Sequence, residues 1–103
     1  PDVPAESLVS IISGDKGDMA TPEDVLLYQE AMDRLIPKLK DENIGILLPL
    51  FSHKYWRVRK HAVMTSREVL SGLNRANQQS LRELLSKMAR DPDDTVRAMA
   101  KDY

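Results

Sequence analysis

The sequence predicts an all-α fold of about three antiparallel helix pairs. Strand signals are nearly absent, since the 103 residues contain no Asn-Gly or Asp-Gly pair and few β-branched runs. Apolar residues instead recur at three- and four-residue spacing from end to end, as in amphipathic helices. An internal similarity at an offset of 38 residues further indicates that a helical unit is repeated. With 42% apolar residues, the chain can bury one modest core.

The first helix pair is predicted at residues 4–13 and 22–40, joined by the polar loop "GDKGDMA". Thr21 is a suitable N-cap, and Pro22 suits the first helical position because no N–H donor is needed there. Pro37 lies inside the pattern and should kink or stop the second helix. The face expected to be buried comprises Val25, Tyr28, Met32, Leu35, Ile36 and Leu39.

The second pair is predicted at about 42–52 and 55–73. The segment "NIGILLPLFS" in its first helix is apolar nearly all round, so this helix should be covered on more than one side. Its second helix should end near Gly72 and Asn74. The inward face of that helix comprises Val58, Ala62, Thr65, Ser66, Val69 and Leu73.

The third pair is predicted at 78–90 and from Asp91 to the end of the chain. Asn77 is the expected N-cap of the fifth helix and Asp91 that of the sixth, where Pro92 takes the first helical position. The inward residues of the fifth helix are Leu81, Leu84, Leu85 and Met88.

The offset of 38 residues superposes structural positions rather than scattered ones. It places Ile46 on Leu84, Leu47 on Leu85, Leu50 on Met88, Val58 on Val96, Arg59 on Arg97 and Ala62 on Ala100. A helix pair cannot bury its apolar face alone, so successive pairs are expected to stack into a continuous core.

The motif of "LLPLF" in a first helix and "VRxxA" opening a second resembles a HEAT repeat, whose first helix commonly contains a proline such as Pro49. The resemblance implies an armadillo-like α-solenoid with a right-handed superhelical stack. A single domain, 1–103, would hold a divergent first pair (4–40) and two repeats (42–74 and 77–103). Whether the chain is a whole protein or a piece of a longer array stays open.

The HEAT resemblance also implies a structural ladder made of Arg59, Asp91 and Arg97. In that family such an arginine pairs with an aspartate of an inter-helix turn, and Asp91 stands six residues before Arg97. The equivalent position before Arg59 is His53, so Arg59 is expected to reach Asp91 or Asp93 in the next turn.

A candidate partner-binding surface lies on the opposite side of the fourth helix from Val58. Five of its residues fall about 140° to 240° from Val58 around the helix axis: Val63, Trp56, Arg67, Lys60 and Met64. Aromatic residues and methionine are enriched in interface cores. Lys54, Tyr55 and Arg57 extend this surface into the turn, where we expect Lys54 and Arg57 to be exposed. The alternative is that Trp56 and Val63 pack on the helix at 22–40.

The leading functional hypothesis is a non-enzymatic interaction or scaffold module for a protein partner, because stacked helix pairs offer extended binding faces. "KYWRVRKHAV" also resembles the turn and second helix that open a TOG domain, which implies tubulin as a partner. Nucleic-acid binding is the alternative: residues 43–90 carry two acidic and nine basic side chains, a balance of +7. Acidic segments on both sides of it bring the net charge of the whole chain to −1.

Other classes of function are disfavoured by what the sequence lacks. It has no glycine-rich phosphate loop, nucleophile elbow or His-Glu metal helix, so we expect no enzyme and no cofactor. The chain has no cysteine and only two histidines, which is too few of the usual ligands to indicate a metal site. No apolar run of about 20 residues or signal peptide is present, so a cytoplasmic or nuclear location is expected, without membrane contact. End-to-end self-association remains an alternative to a longer repeat array.

Overall fold

The structure, a computed structural model, describes residues 3–14 and 21–101. Most of these residues lie in helices. The α-helices are α1 (Ala5–Ile12), α2 (Pro22–Leu35), α3 (Trp56–Val69), α4 (Arg75–Met88) and α5 (Asp94–Lys101). Ile44–Ser52 forms a 3-10 helix, termed the central 3-10 helix below, and short 3-10 turns follow α2 (Ile36–Lys38) and α3 (Leu70–Gly72). No strand occurs in these stretches, so the predicted all-α class is confirmed.

Some predicted features fall outside the described residues. Most of the "GDKGDMA" loop does so, as does the end of the predicted sixth helix. None of the helices within 3–14 and 21–101 has the length and apolarity needed to cross a membrane.

α2 begins and ends where its local sequence predicted, after Thr21 and before Pro37. Thr21 Oγ1 accepts a hydrogen bond from the Asp24 N–H at 3.2 Å, and Asp24 Oδ2 accepts one from the Thr21 N–H at 3.0 Å. This reciprocal pair is a capping box, which satisfies two of the orphan donors at the start of the helix. At the other end, Pro37 lies in the 3-10 turn where the α-helix stops, because a proline cannot donate the next i→i−4 hydrogen bond.

The helix predicted at 42–52 is a 3-10 helix rather than an α-helix. It begins with the Ile46 N–H donating to Asn43 O at 3.0 Å, a bond across three residues. Pro49 lies inside it. Since proline has no N–H, it removes the i→i−4 bond that an α-helix would need there and favours the tighter winding.

Two predicted N-caps are wrong, because tertiary contacts select neighbouring residues. Asn74, and not Asn77, caps α4: its Oδ1 accepts from the Asn77 N–H at 2.9 Å, and its own N–H donates to Asp41 Oδ1 at 2.8 Å. Asp93, and not Asp91, caps α5 by accepting from the Val96 N–H at 3.0 Å. The Asp91 carboxylate is instead occupied by Arg59.

The predicted core of α3 is confirmed, since all six of its inward residues are buried. Both residues of each offset pair also share a burial class: Leu47 and Leu85 are buried, as are Val58 and Val96. Three expectations fail. Val25 is 51% exposed, and Ile36 and Leu84 are half-buried. Val25 and the neighbouring exposed Leu26 and Leu27 precede the first buried residue of α2, Tyr28.

Helices that follow one another in the chain pack together, and α3 lies at the centre of these contacts. α1 packs on α2, the central 3-10 helix on α3, and α4 on α5. The central 3-10 helix contacts both α1 and α4, whereas α3 contacts α5 and the turn that follows α2. The Cα atoms span 37 × 37 × 19 Å, and the short dimension corresponds to two layers of helices.

We predict that Leu47→Ala and Leu85→Ala each lower the free energy of unfolding by about 2–5 kcal/mol, because each removes buried methyl groups and leaves a cavity. Leu47 is 0% and Leu85 is 2% exposed. Urea denaturation measures the change. Leu48→Ala is the matched control, since Leu48 is 42% exposed and should change stability by no more than about 0.5 kcal/mol. Equal stability for all three variants and wild type would contradict the packing.

Candidate interaction site

The ladder residues Arg59 and Asp91 form a bidentate ion pair between α3 and the turn before α5. Arg59 Nε donates to Asp91 Oδ2 at 2.7 Å, and Nη2 donates to Oδ1 at 3.0 Å. The two side chains are 14% and 5% exposed. Charge-assisted bidentate pairs of this kind fix orientation as well as distance. The predicted reach of Arg59 to Asp91 is therefore confirmed.

The turns before α3 and α5 have equivalent hydrogen bonds 38 residues apart. Arg59 Nη1 donates to His53 O at 2.8 Å, and Arg97 Nη1 donates to Asp91 O at 2.7 Å. A side-chain acceptor in each turn also binds the N–H two residues later, His53 Nδ1 for Tyr55 and Asp91 Oδ1 for Asp93. Arg97 thus uses the main-chain oxygen of Asp91 and forms its ion pair with Asp94, instead of binding the Asp91 carboxylate.

The prediction that Arg57 is exposed is wrong. Arg57 is 4% exposed, its Nη1 donates to Ile12 O at 2.9 Å, and its guanidinium carbon lies 3.8 Å from the centre of the Tyr28 ring. Ile12 is the last residue of α1, where carbonyls have no partner within the helix and favour a cation. Arg57 therefore joins α3 to α1 and α2 and is not available to a partner.

Val63 is also buried, at 0% exposed, so its predicted place on an outward surface is wrong. The reason is that α3 is covered on more than one side, by the central 3-10 helix, by α5 and by the turn after α2. The alternative of a packed position holds for Val63. Trp56 is intermediate: it packs partly against the core and remains partly exposed.

His61 lies in the same buried layer as Arg57. Its ring meets Tyr28 edge to face, with centroids 6.2 Å apart. Nδ1 lies 2.9 Å from the Arg57 carbonyl oxygen, so Nδ1 carries the proton and donates to it. Burial lowers the pKa of His61 to about 4, and the nearby charges of Lys60 and Arg57 act in the same direction against the opposing hydrogen bond. The ring is therefore neutral at pH 7.

The remaining predicted residues form two groups along α3. At its start, Lys54 Nζ lies 5.0 Å from the centre of the Tyr55 ring and Lys60 Nζ lies 5.3 Å from the Trp56 ring. These distances suit cation–π contacts. Burial lowers the pKa of Lys60 from its ordinary value, Arg57 lowers it further, and Asp93 opposes the change. We call Lys54, Tyr55, Trp56 and Lys60 the turn cluster.

Met64 and Arg67 lie in a groove at the other end of α3, between α2 and α5, with a volume of about 580 Å³. Its apolar lining comprises Met32, Ile36, Met64 and Met99, and its polar lining comprises Gln29, Asp33, Arg67 and Glu68. Arg67 Nη1 donates to Met99 O at 3.2 Å, across the floor between α3 and α5. We call this the Met groove. Its volume is within the range of ligand pockets, about 300–1,000 Å³.

Sequence reasoning missed the residues that α2 and α5 contribute to the Met groove, above all Asp33 and Met99. The groove exists only where three helices meet, and an amphipathic pattern describes one helix at a time. The one available signal was methionine, since three of the five methionines in the chain line the groove. Flexible, polarizable methionine side chains are common at surfaces that accept varied partners.

Other parts of the surface form smaller depressions than the Met groove does. The exposed Val25, Leu26 and Leu27 lie towards the start of α2, and of these Leu27 lines a small depression of about 80 Å³ between α1 and α2. No group of three or more His, Cys, Asp or Glu side chains that could hold a metal ion occurs within 3–14 and 21–101.

Comparison with known proteins adds no relative: the chain matches no protein-family model, and neither curated proteins nor solved structures give a significant match.

We predict that Asp91→Ala lowers the free energy of unfolding by about 3–5 kcal/mol, because it leaves the largely buried Arg59 without its carboxylate. Chemical denaturation measures the effect. Asp94→Ala is the control, since Asp94 also pairs with an arginine but is 92% exposed, and should cost less than about 1 kcal/mol. Similar costs for the two variants would mean that the Arg59 contact does not organise the fold.

We also predict that His61 makes the protein less stable in acid. The folded state lowers its pKa from 6.5 to about 4, so the unfolded chain takes up the proton first. The free energy of unfolding should therefore fall as the pH drops from about 6.5 to about 4, by up to about 3 kcal/mol from this residue. Urea unfolding at several pH values measures it.

His61→Asn is the control for that experiment, because asparagine can place an amide donor near the Arg57 carbonyl but does not titrate. Carboxylates contribute equally to both proteins, so the variant should lose less stability than wild type over this pH range. Identical pH dependence would show that His61 is not held neutral.

Proposed function

We propose that the chain is a non-enzymatic protein-interaction module, a short α-solenoid of the HEAT type, and that the Met groove holds a segment of a partner protein. The single observation that carries the proposal is the Met groove itself. Its lining combines four apolar side chains with four polar or charged ones, so it offers a partner both apolar contact and charged groups.

The HEAT-type arrangement is supported by the repeated contacts. Each helix pair packs on the next through both layers, and the turns before α3 and α5 share the arginine-to-carbonyl bond at the same spacing. Stacked pairs of this kind place their second helices side by side, which produces a continuous surface for a partner. α2, α3 and α5 are those second helices, and all three line the Met groove.

The turn cluster is the second part of the proposed surface. Trp56, Lys60 and Met64 are spaced four residues apart on α3, and Arg67 follows three residues later. Residues at this spacing lie on one side of a helix, so the cluster and the Met groove form a stripe about 16 Å long. A partner that crosses the Met groove reaches the turn cluster only where its chain continues along α3.

Nucleic-acid binding, including the basic segment 53–90, is a weaker proposal, and tubulin binding through a TOG-like turn is another. Two cations of the basic segment have internal roles: Arg57 is buried against Tyr28, and Arg59 is paired with Asp91. Phosphate binding would require several exposed cations on one face and would weaken steeply with salt. An apolar groove contributes nothing to such binding.

Affinity capture with three versions of the protein tests the proposal. We expect Met64→Gln/Met99→Gln to reduce the recovery of bound partners at least ~10-fold, since polar amides replace apolar contact in the groove without changing its charge. Leu48→Gln, which makes the same kind of change at an exposed apolar residue outside the groove, should retain them. Both proteins should melt close to wild type, because the substituted side chains are partly or largely exposed.

Trp56→Ala/Lys60→Ala, measured in the same way, reports whether the turn cluster takes part. A partner profile that is the same for wild type and the Met64/Met99 variant would overturn the proposal that the groove is the binding site.

A further inference from the structure

We infer that the segment held in the Met groove is a basic amphipathic helix, whose apolar side chains contact the methionines and whose lysines or arginines pair with Asp33 and Glu68. This inference rests on the proposed function, because it names the chemistry of the partner for the same groove.

The first argument is the placement of charge around the apolar floor. Asp33 is exposed on α2 and Glu68 is exposed on α3, so the groove has a carboxylate on two of its walls. Within 3–14 and 21–101, no ion pair neutralises either of them. The lining holds one cation, Arg67, which donates to the Met99 carbonyl, so the two carboxylates leave the groove with a net charge of −1. A cationic partner therefore gains two contacts that an anionic partner would find repulsive.

The second argument is which parts of the helices line the groove. The lining residues of α2, α3 and α5 lie in the second half of each helix, between Gln29 and Ile36, Met64 and Glu68, and at Met99. The C-terminal end of a helix carries partial negative charge on its unpaired carbonyls. At α5 the Met99 carbonyl is already bound by Arg67, so the partial negative charge that favours cations at the groove comes from the last turns of α2 and α3.

The third argument concerns the size and form of the partner. Neighbouring helices lie about 8–10 Å apart, so an apolar floor that crosses three of them is about 16–20 Å long. A helix of about 12 residues covers that length with apolar anchors at i, i+3 or i+4, and i+7. Methionine side chains adapt to anchors of different shape, so the charges rather than the apolar contacts should determine which partner is chosen.

A second copy of this chain does not fit this description. Its most basic helix is α3, which itself lines the groove and has its apolar face buried in the core. The next most basic is α4, with Arg75, Arg82 and Lys87. The apolar face of α4 is already used in its own core, where Leu81, Leu85 and Met88 are buried. The partner is therefore a segment of another protein.

A display library of random 12-residue peptides tests the inference with the whole chain as bait. Peptides that bind wild type but not Met64→Gln/Met99→Gln, a change that adds no charge, are retained as groove-dependent. We expect them to be enriched in lysine and arginine beside apolar residues at helical spacing. Selection on Asp33→Lys/Glu68→Lys should instead enrich aspartate and glutamate.

Glu42→Lys/Glu83→Lys is the matched control, because it makes the same change in net charge at exposed carboxylates outside the groove. The most enriched wild-type peptide should bind this control as it binds wild type, by fluorescence anisotropy. It should bind Asp33→Lys/Glu68→Lys at least ~10-fold more weakly, with an affinity for wild type that falls as salt is added.

The two proposals fail in different ways. Groove-dependent peptides that are acidic or uncharged would overturn the basic partner and leave the groove as a protein-binding site. Recovery of no groove-dependent peptide would overturn both. A control that weakens binding as much as Asp33→Lys/Glu68→Lys would also overturn the inference, since net charge alone would then explain the preference.

Discussion

The bidentate contact between Arg59 and Asp91 determines how the second and third helix pairs meet. The same guanidinium donates to the His53 carbonyl, and the same carboxylate accepts from the Asp93 N–H. One ion pair therefore fixes two turns and the helix that starts between them. The bonds of Arg59 hold α3 in one orientation about its axis. In that orientation Val58 faces the core and Met64 faces the groove. Both the core and the candidate site depend on this orientation of α3.

Polar contacts also hold α3 on its other side, which explains where the groove can form. Arg57 and His61 attach the first two turns of α3 to α1 and α2, through a carbonyl of Ile12 and the ring of Tyr28. These contacts are directional, and each lies in a buried layer where an unmet polar group would be costly. Beyond them α2 and α3 leave the Met groove open, and the turn that follows α2 packs on α3 again.

The sequence was informative where a feature depends on nearby residues. The capping box at Thr21, the end of α2 at Pro37 and the inward face of α3 follow from local pattern, and the Arg59–Asp91 pair was implied by the resemblance to HEAT repeats. Sequence reasoning failed where neighbours in space decide. The burial of Arg57 depends on a carbonyl 45 residues away, and the choice of N-cap among several candidates depends on which one tertiary contacts leave available. The Met groove needs three helices at once, so no single pattern encodes it.

The equivalent turns before α3 and α5 have a consequence for how such a chain can change over evolution. In both, the arginine binds a main-chain carbonyl, which every residue type provides, so this bond survives substitution of the residue that carries it. The side chain at that position needs only an acceptor for the N–H two residues later, and a histidine in one turn and an aspartate in the other both supply it. A duplicated unit can thus keep its turn while its charge diverges, and a new carboxylate there becomes available to join it to the neighbouring unit.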